Sequence, residues 1–127
     1  MAADQHSTVE REYCQWDVFD ASCDSVTASG DHRVIVMRTA RYGLMKVGRC
    51  VAKNYGFVGC STDVLGHMDS LCSGRRRCRF TVPDETMRPM LPCPKEFAPY
   101  LEASYQCVTG EKTIGCFVNT LATVMVC

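Results

Sequence analysis

The stretch Tyr100-Leu101-Glu102-Ala103-Ser104-Tyr105-Gln106-Cys107 alternates without a break: Leu101, Ala103, Tyr105 and Cys107 share one parity, Glu102, Ser104 and Gln106 the other. Successive side chains of a strand point to opposite faces, so this is the pattern of a half-buried strand. The stretch ends on a cysteine, one of ten in 127 residues. An even count at that density predicts a disulfide framework formed in an oxidising compartment. Zinc sites bring cysteines in as close C-x2–4-C pairs, often with paired histidines. Here the closest spacing, Cys72 to Cys78, leaves five residues between, and His6, His32 and His67 are scattered. No metal and no other cofactor is expected.

Working outward, the other predicted strands are short. Residues 13–19 are aromatic and mixed, 33–38 contain the β-branched run Val34-Ile35-Val36, and 79–82 form a third candidate. One helix is predicted over 62–71, capped by Ser61 or Thr62, with Asp63 in the first turn. Val64, Leu65, Met68, Leu71 and Cys72 make one apolar stripe on it, read as core packing, and Gly74 is placed to stop it. Pro92, Pro94 and Pro99 mark an irregular loop before the last clear strand. The expected fold is a disulfide-rich single α+β domain, mostly short antiparallel strands with one main helix and long loops. Residues 1–11 read as a flexible polar arm, 12–108 as the domain, and 109–127 as a strand-rich C-terminal extension with two extra cysteines, Cys116 and Cys127.

Fourteen basic residues balance fourteen acidic ones, which gives no global pull toward nucleic acid or an anionic membrane. No apolar run reaches the roughly 18 residues that a spanning helix needs, so no membrane insertion is expected. The polar start lacks the apolar segment of a signal peptide. With the cysteine density, it reads as the mature form of a secreted, extracellular protein whose signal peptide has been removed. No motif of a hydrolytic nucleophile, zinc protease or glycosidase carboxylate pair is present, so the chain is expected not to be an enzyme. Thr109-Gly110-Glu111-Lys112-Thr113 looks like a zinc-finger linker but has no finger on either side.

The cysteines gain meaning from their neighbours. Ile35-Val36-Met37-Arg38-Thr39-Ala40-Arg41-Tyr42-Gly43, Leu71-Cys72-Ser73-Gly74-Arg75-Arg76-Arg77-Cys78 and Tyr100-Leu101-Glu102-Ala103-Ser104-Tyr105-Gln106-Cys107 follow one another in order. Together they resemble the sea-urchin-egg-lectin type domain, the galactose- or rhamnose-binding lectin domain that has a relative in latrophilin-type adhesion receptors. The resemblance covers about residues 12–108. It implies the pairings Cys14–Cys50, Cys23–Cys107, Cys60–Cys93 and Cys72–Cys78. Cys116 and Cys127 lie outside the pattern; they pair with each other, or Cys127 bridges two chains into a homodimer.

In that family a monosaccharide is held by a Glu after the first cysteine, a Tyr-Gly-Arg segment, an Asp in Asp-Pro-Cys and a Lys before Tyr-Leu-Glu. Here the corresponding residues are Gln15, Tyr42, Gly43, Leu44, Leu91 and Pro99, with Lys95 or Glu96 able to substitute in part for the lysine. Losing one charge-assisted hydrogen bond costs about 1.5–3 kcal/mol, more than tenfold in affinity. The expected ligand is therefore a galactose- or rhamnose-type sugar, or a glycan of shifted specificity on a cell-surface glycoprotein. The alternative is a protein-interaction or adhesion module that has lost monosaccharide binding. Arg75, Arg76, Arg77 and Arg79 read either as a solvated loop tip or as a basic patch for sulfated or sialylated glycans or an acidic partner. Trp16 could stack on a sugar, although a lone Trp is more often expected in the core.

Overall fold

The computed structural model describes residues 8–23, 33–94 and 96–109, together with the backbone of 111–113, 116–119 and 124–126. Among these it holds nine strands and one α-helix: β1 (Thr8–Tyr13), β2 (Val18–Ser22), β3 (Arg33–Gly43), β4 (Ser61–Asp63), α1 (Leu65–Cys72), β5 (Arg77–Thr81), β6 (Tyr100–Thr109), β7 (Glu111–Thr113), β8 (Cys116–Asn119) and β9 (Val124–Val126). The main sheet has the order β1-β6-β3-β4 and every pairing in it is antiparallel. Strands β2 and β5 form a separate two-stranded ribbon, and β7-β8-β9 a small antiparallel sheet of the extension. The protein is thus a small disulfide-rich α+β domain.

The alternating stretch is β6, the inner strand between β1 and β3. Leu101, Ala103 and Tyr105 face the core, as their parity predicts. The other face is not wholly wet: Ser104 is buried and its hydroxyl lies 2.6 Å from that of Thr39 on β3. Strand β3 runs well beyond the predicted 33–38 and carries a bulge between Met37 and Thr39. An extra residue reverses the parity of everything after it. Ile35 and Met37 before the bulge therefore share the core with Ala40 and Tyr42 after it. The Met37 N–H donates to the Ser73 hydroxyl (3.0 Å), which in turn donates to the Asp69 carboxylate.

Three local expectations are corrected. Thr8–Arg11, expected in a flexible arm, belong to β1 and pair with Gln106, Tyr105, Ser104 and Ala103 of β6. The span 13–19 is not one strand, because a turn at 14–17 separates β1 from β2. The helix begins at Leu65, since Ser61–Asp63 instead form β4 and pair with Gly43, Tyr42 and Arg41. Neither Ser61 nor Thr62 caps it; the Asp63 carboxylate accepts from the Leu65 N–H (2.8 Å). The predicted stripe does face inward, with Val64, Met68 and Cys72 buried and Leu65 and Leu71 packed against them. At its end Gly74 takes φ 86°, a left-handed conformation that glycine adopts without a Cβ clash.

Phe19 joins the ribbon to the main sheet. It is fully buried, edge-on to Tyr13 (4.9 Å) and Tyr105 (6.2 Å) and stacked on Phe80 (5.3 Å). Disulfides bind the loops: Cys14–Cys50, Cys23–Cys107, Cys60–Cys93 and Cys72–Cys78. These are the four pairings that the resemblance implies. The Cys116–Cys127 pair, and with it the question of a bridge through Cys127, lies outside the described residues.

A disulfide restricts the unfolded chain more when it closes a longer loop. Cys23–Cys107 spans 84 residues and Cys72–Cys78 only six. In the chain-entropy treatment these are worth about 4.5 and about 2 kcal/mol. Denaturant unfolding of the Cys23→Ala, Cys107→Ala double variant is expected to show the larger loss, and the Cys72→Ala, Cys78→Ala variant the smaller.

Candidate functional site

A cleft of about 780 Å³ opens where the 14–17 turn, the end of β3 and the two loops between β5 and β6 converge. That volume falls in the range of small-molecule sites, roughly 300–1,000 Å³. Gln15 and Trp16 contribute from the turn, Tyr42 from β3, and Glu85 and Arg88 from the loop after β5. Leu91, Cys93 and Pro99 form an apolar side.

The turn is the unusual part. Trp16 has φ 72°, the left-handed region that bulky residues rarely enter, and it is 61 % exposed. Such strain costs on the order of 1–3 kcal/mol and persists only where the surroundings impose it. Here they do. The Trp16 N–H donates to the Val82 carbonyl (2.7 Å) and the Val82 N–H to the Asp17 carbonyl (2.8 Å), so Val82, the residue directly after β5, grips both sides of the turn. The Asp17 carboxylate accepts from the Cys14 N–H (2.9 Å) and pairs with Arg49 (3.3 Å), next to the Cys14–Cys50 disulfide. The expectation that the lone Trp packs in the core is overturned: the clamp holds its ring out at the lip of the cleft.

Arg88 places its guanidinium 5.9 Å from the centre of the Trp16 ring, a cation–π contact. Its loop is anchored from three directions. Met87 is fully buried in the core, the Asp84 carboxylate accepts from the Met87 N–H (2.8 Å), and the other Asp84 oxygen lies 2.7 Å from Nε2 of His67 on α1. A 3-10 turn with Pro89 near its start follows directly, over Arg88–Met90. Glu85 and Arg88 are thus exposed side chains on a fixed backbone. Tyr42 is almost fully buried in the cleft wall, and burial pushes its phenol pKa up, against a smaller opposite pull from Arg88. The phenol stays a neutral O–H through physiological pH, available as donor or acceptor.

Of the residues carried over from the resemblance, Gln15, Tyr42, Leu91 and Pro99 meet in this cleft. Gly43 does not line it. A Cβ there would run into the Cys60 carbonyl oxygen and lie 2.6 Å from Ser61 Cα, so the glycine serves the close approach of β4. Leu44 is buried and faces a second, smaller groove of about 180 Å³. Glu96 is exposed and outside the cleft lining, and Lys95 lies outside the described residues. Arg75, Arg76, Arg77 and Arg79 are all exposed, away from the cleft lining. The sequence reading missed Glu85 and Arg88. Their signal was Asp84 three residues before Met87 with Pro89 close behind, the composition of a capped turn.

The second groove is aromatic. Phe97 stacks against Tyr55 (5.7 Å) and tilts against Phe57 (5.2 Å), and Lys53 sits 5.4 Å from the Tyr55 ring. Tyr55 and Phe57 remain exposed. Among the described residues no group of three or more His, Cys, Asp and Glu is placed to hold a metal ion, and no helix is long and apolar enough to cross a membrane. No family model matches the chain, and no curated protein matches it.

Because Trp16 is the single tryptophan, its fluorescence reports on the cleft directly. The folded protein is expected to emit as a water-exposed indole does, to be quenched freely by acrylamide, and to shift little on unfolding. A blue-shifted, protected emission would contradict the exposed turn. Arg88→Ala, which removes the cation from the ring, is expected to change the intensity without unfolding the chain.

Proposed function

We propose that the chain is a non-enzymatic glycan-binding domain of the lectin type that acts in extracellular recognition, with the Trp16 cleft as its sugar site. The observation that carries this reading is the tryptophan held outward by a strained, clamped turn beside convergent polar groups. A ring face suits the apolar C–H patch of a pyranose, and specificity rests on a few polar groups around it. Gln15 can donate to and accept from sugar hydroxyls, Glu85 accepts, Arg88 donates, and the Tyr42 phenol does either.

The polar set differs from the one the resemblance implies. The family's Glu, Asp and Lys are replaced by Gln15, Leu91 and Pro99, while a carboxylate and a guanidinium come from Glu85 and Arg88 on another loop. The reading therefore favours a glycan of shifted specificity over simple galactose or rhamnose. Four disulfides are compatible with work outside the cell, where such bonds persist.

A second reading, a protein-adhesion module, has one observation in its favour. The exposed Tyr55 and Phe57 beside Phe97 are the kind of aromatic group that anchors protein interfaces.

A glycan array followed by titration of the best ligand separates the two. Sugar binding is expected to fall at least tenfold in Trp16→Ala and in Arg88→Ala, each losing about 1.4 kcal/mol or more, and to survive Tyr55→Ala. Absence of binding to every glycan, or binding untouched by Trp16→Ala, would sink the lectin reading.

A further inference from the structure

We propose that the outer face of the β2–β5 ribbon is a second binding surface, for a sulfated polysaccharide, independent of the Trp16 cleft. On β5 the buried Cys78 and the partly buried Phe80 point inward, so Arg77 and Arg79 project outward together. Same-face residues of a strand lie about 7 Å apart. Across the ribbon Arg77 is paired with Ser22 and Arg79 with Asp20, and Arg75 stands exposed just before the strand. No ion pair or hydrogen bond among the described residues engages the side chains of Arg75, Arg77 or Arg79. The chain as a whole is neutral, so this is a local concentration of cations and not a reflection of composition.

The backbone beneath these arginines is rigid. Cys72–Cys78 closes the loop, the Arg75 carbonyl accepts from the Ile35 N–H (2.7 Å), the Arg76 carbonyl from the Cys23 N–H (2.7 Å), and the Gly74 N–H donates to the Ile35 carbonyl (2.8 Å). A solvated loop tip has no need of such fixing, whereas a row of charges set against a repeating ligand benefits from it.

The chemistry of the face selects the ligand. All three cations are Arg, whose planar fork pairs with the oxygens of a sulfate two at a time. The remaining ribbon positions on this side are Val18, Asp20, Ser22 and Thr81. None is an aromatic ring, and the one apolar side chain among them is Val18, 41 % exposed, whereas single-stranded nucleic acids are held by aromatic stacking and protein interfaces are anchored mostly by Trp and Tyr, with Val under-represented. Asp20 sits among the arginines and would repel a ligand made only of anions. A sulfated polysaccharide also carries hydroxyls, which can donate to Asp20 while its sulfates meet the arginines.

The test uses the full chain with heparin as probe. Wild type is expected to be retained on immobilised heparin at low salt and released as salt rises, since screening acts over about 10 Å at 0.1 M. The Arg77→Ser, Arg79→Ser variant is expected to lose at least tenfold in affinity. Arg77→Lys, Arg79→Lys keeps the charge without the fork and is expected to fall between, which separates loss of binding from loss of fold. Trp16→Ala should bind heparin as wild type does, and the Ser variant should keep any glycan binding of the cleft, so the two sites fail independently. The proposal is overturned if desulfated heparin binds equally well, if the Ser variant is retained like wild type, or if duplex DNA at the same charge concentration binds as tightly as heparin.

Discussion

An inner strand has backbone donors and acceptors along both edges, and in a buried layer each one left unpaired is costly. That constraint organises this domain around β6. Its edges are satisfied by β1 on one side and by β3 on the other, from Arg33↔Thr109 to Gly43↔Tyr100. The register then sets what each neighbour can do. β1 must start as early as Thr8, β3 must absorb a bulge to keep Ala40 and Tyr42 inward, and Gly43 must let β4 close against it. Cys107 near the end of β6 ties the strand to Cys23, just past the ribbon, and Phe19 packs the same ribbon onto Tyr105. The cleft is a consequence: Tyr42 reaches it from β3, and the turn that bears Trp16 bridges β1 to β2.

How much of this was legible depended on whether the deciding contact was local. The inward parity of Leu101, Ala103 and Tyr105 and the stripe on the helix are written into consecutive residues, and both hold, although Tyr100 and Ser104 on the opposite parity are buried as well. Ser61, Thr62 and Asp63 look like a helix start because they are small and polar, yet β3 offers an open edge there and a strand wins. Thr8–Arg11 look like a polar arm because Val9 is the only apolar residue from Asp4 to Glu12, and their pairing with β6 depends on residues nearly a hundred positions away. The bulge near Arg38 has no composition signal; it is visible only as the reversal of parity between Met37 and Ala40 once the core is known.

The lining of the candidate cleft was legible in part. Gln15, Tyr42, Leu91 and Pro99 do meet, because the cysteine framework fixes the loops that carry them. The groups that charge the cleft came from elsewhere. Glu85 and Arg88 sit in a segment whose sequence signals a turn, and their approach to Trp16 rests on the buried Met87 and on Asp84 held near His67. Trp16 could not be placed from sequence, since its exposure follows from a positive φ imposed by Val82, Asp17 and Arg49.

The two surfaces differ in how they resist solvent, and that difference separates the roles proposed for them. In the cleft, Tyr42 is buried, so a hydrogen bond between its phenol and a ligand competes with less water than one on an open face. Such a site discriminates by geometry. On the ribbon Arg77 and Arg79 stand in open solvent, where each ion pair is worth at most about 1 kcal/mol and is screened by salt. A single anion would gain little there. A chain of anions meets several fixed cations at once, so that after the first contact the others form at high effective concentration. Under the two proposals the ribbon therefore takes a long charged polymer and the cleft a short specific ligand. β5 carries the exposed arginines and ends at Thr81, one residue before Val82, whose carbonyl holds the Trp16 N–H.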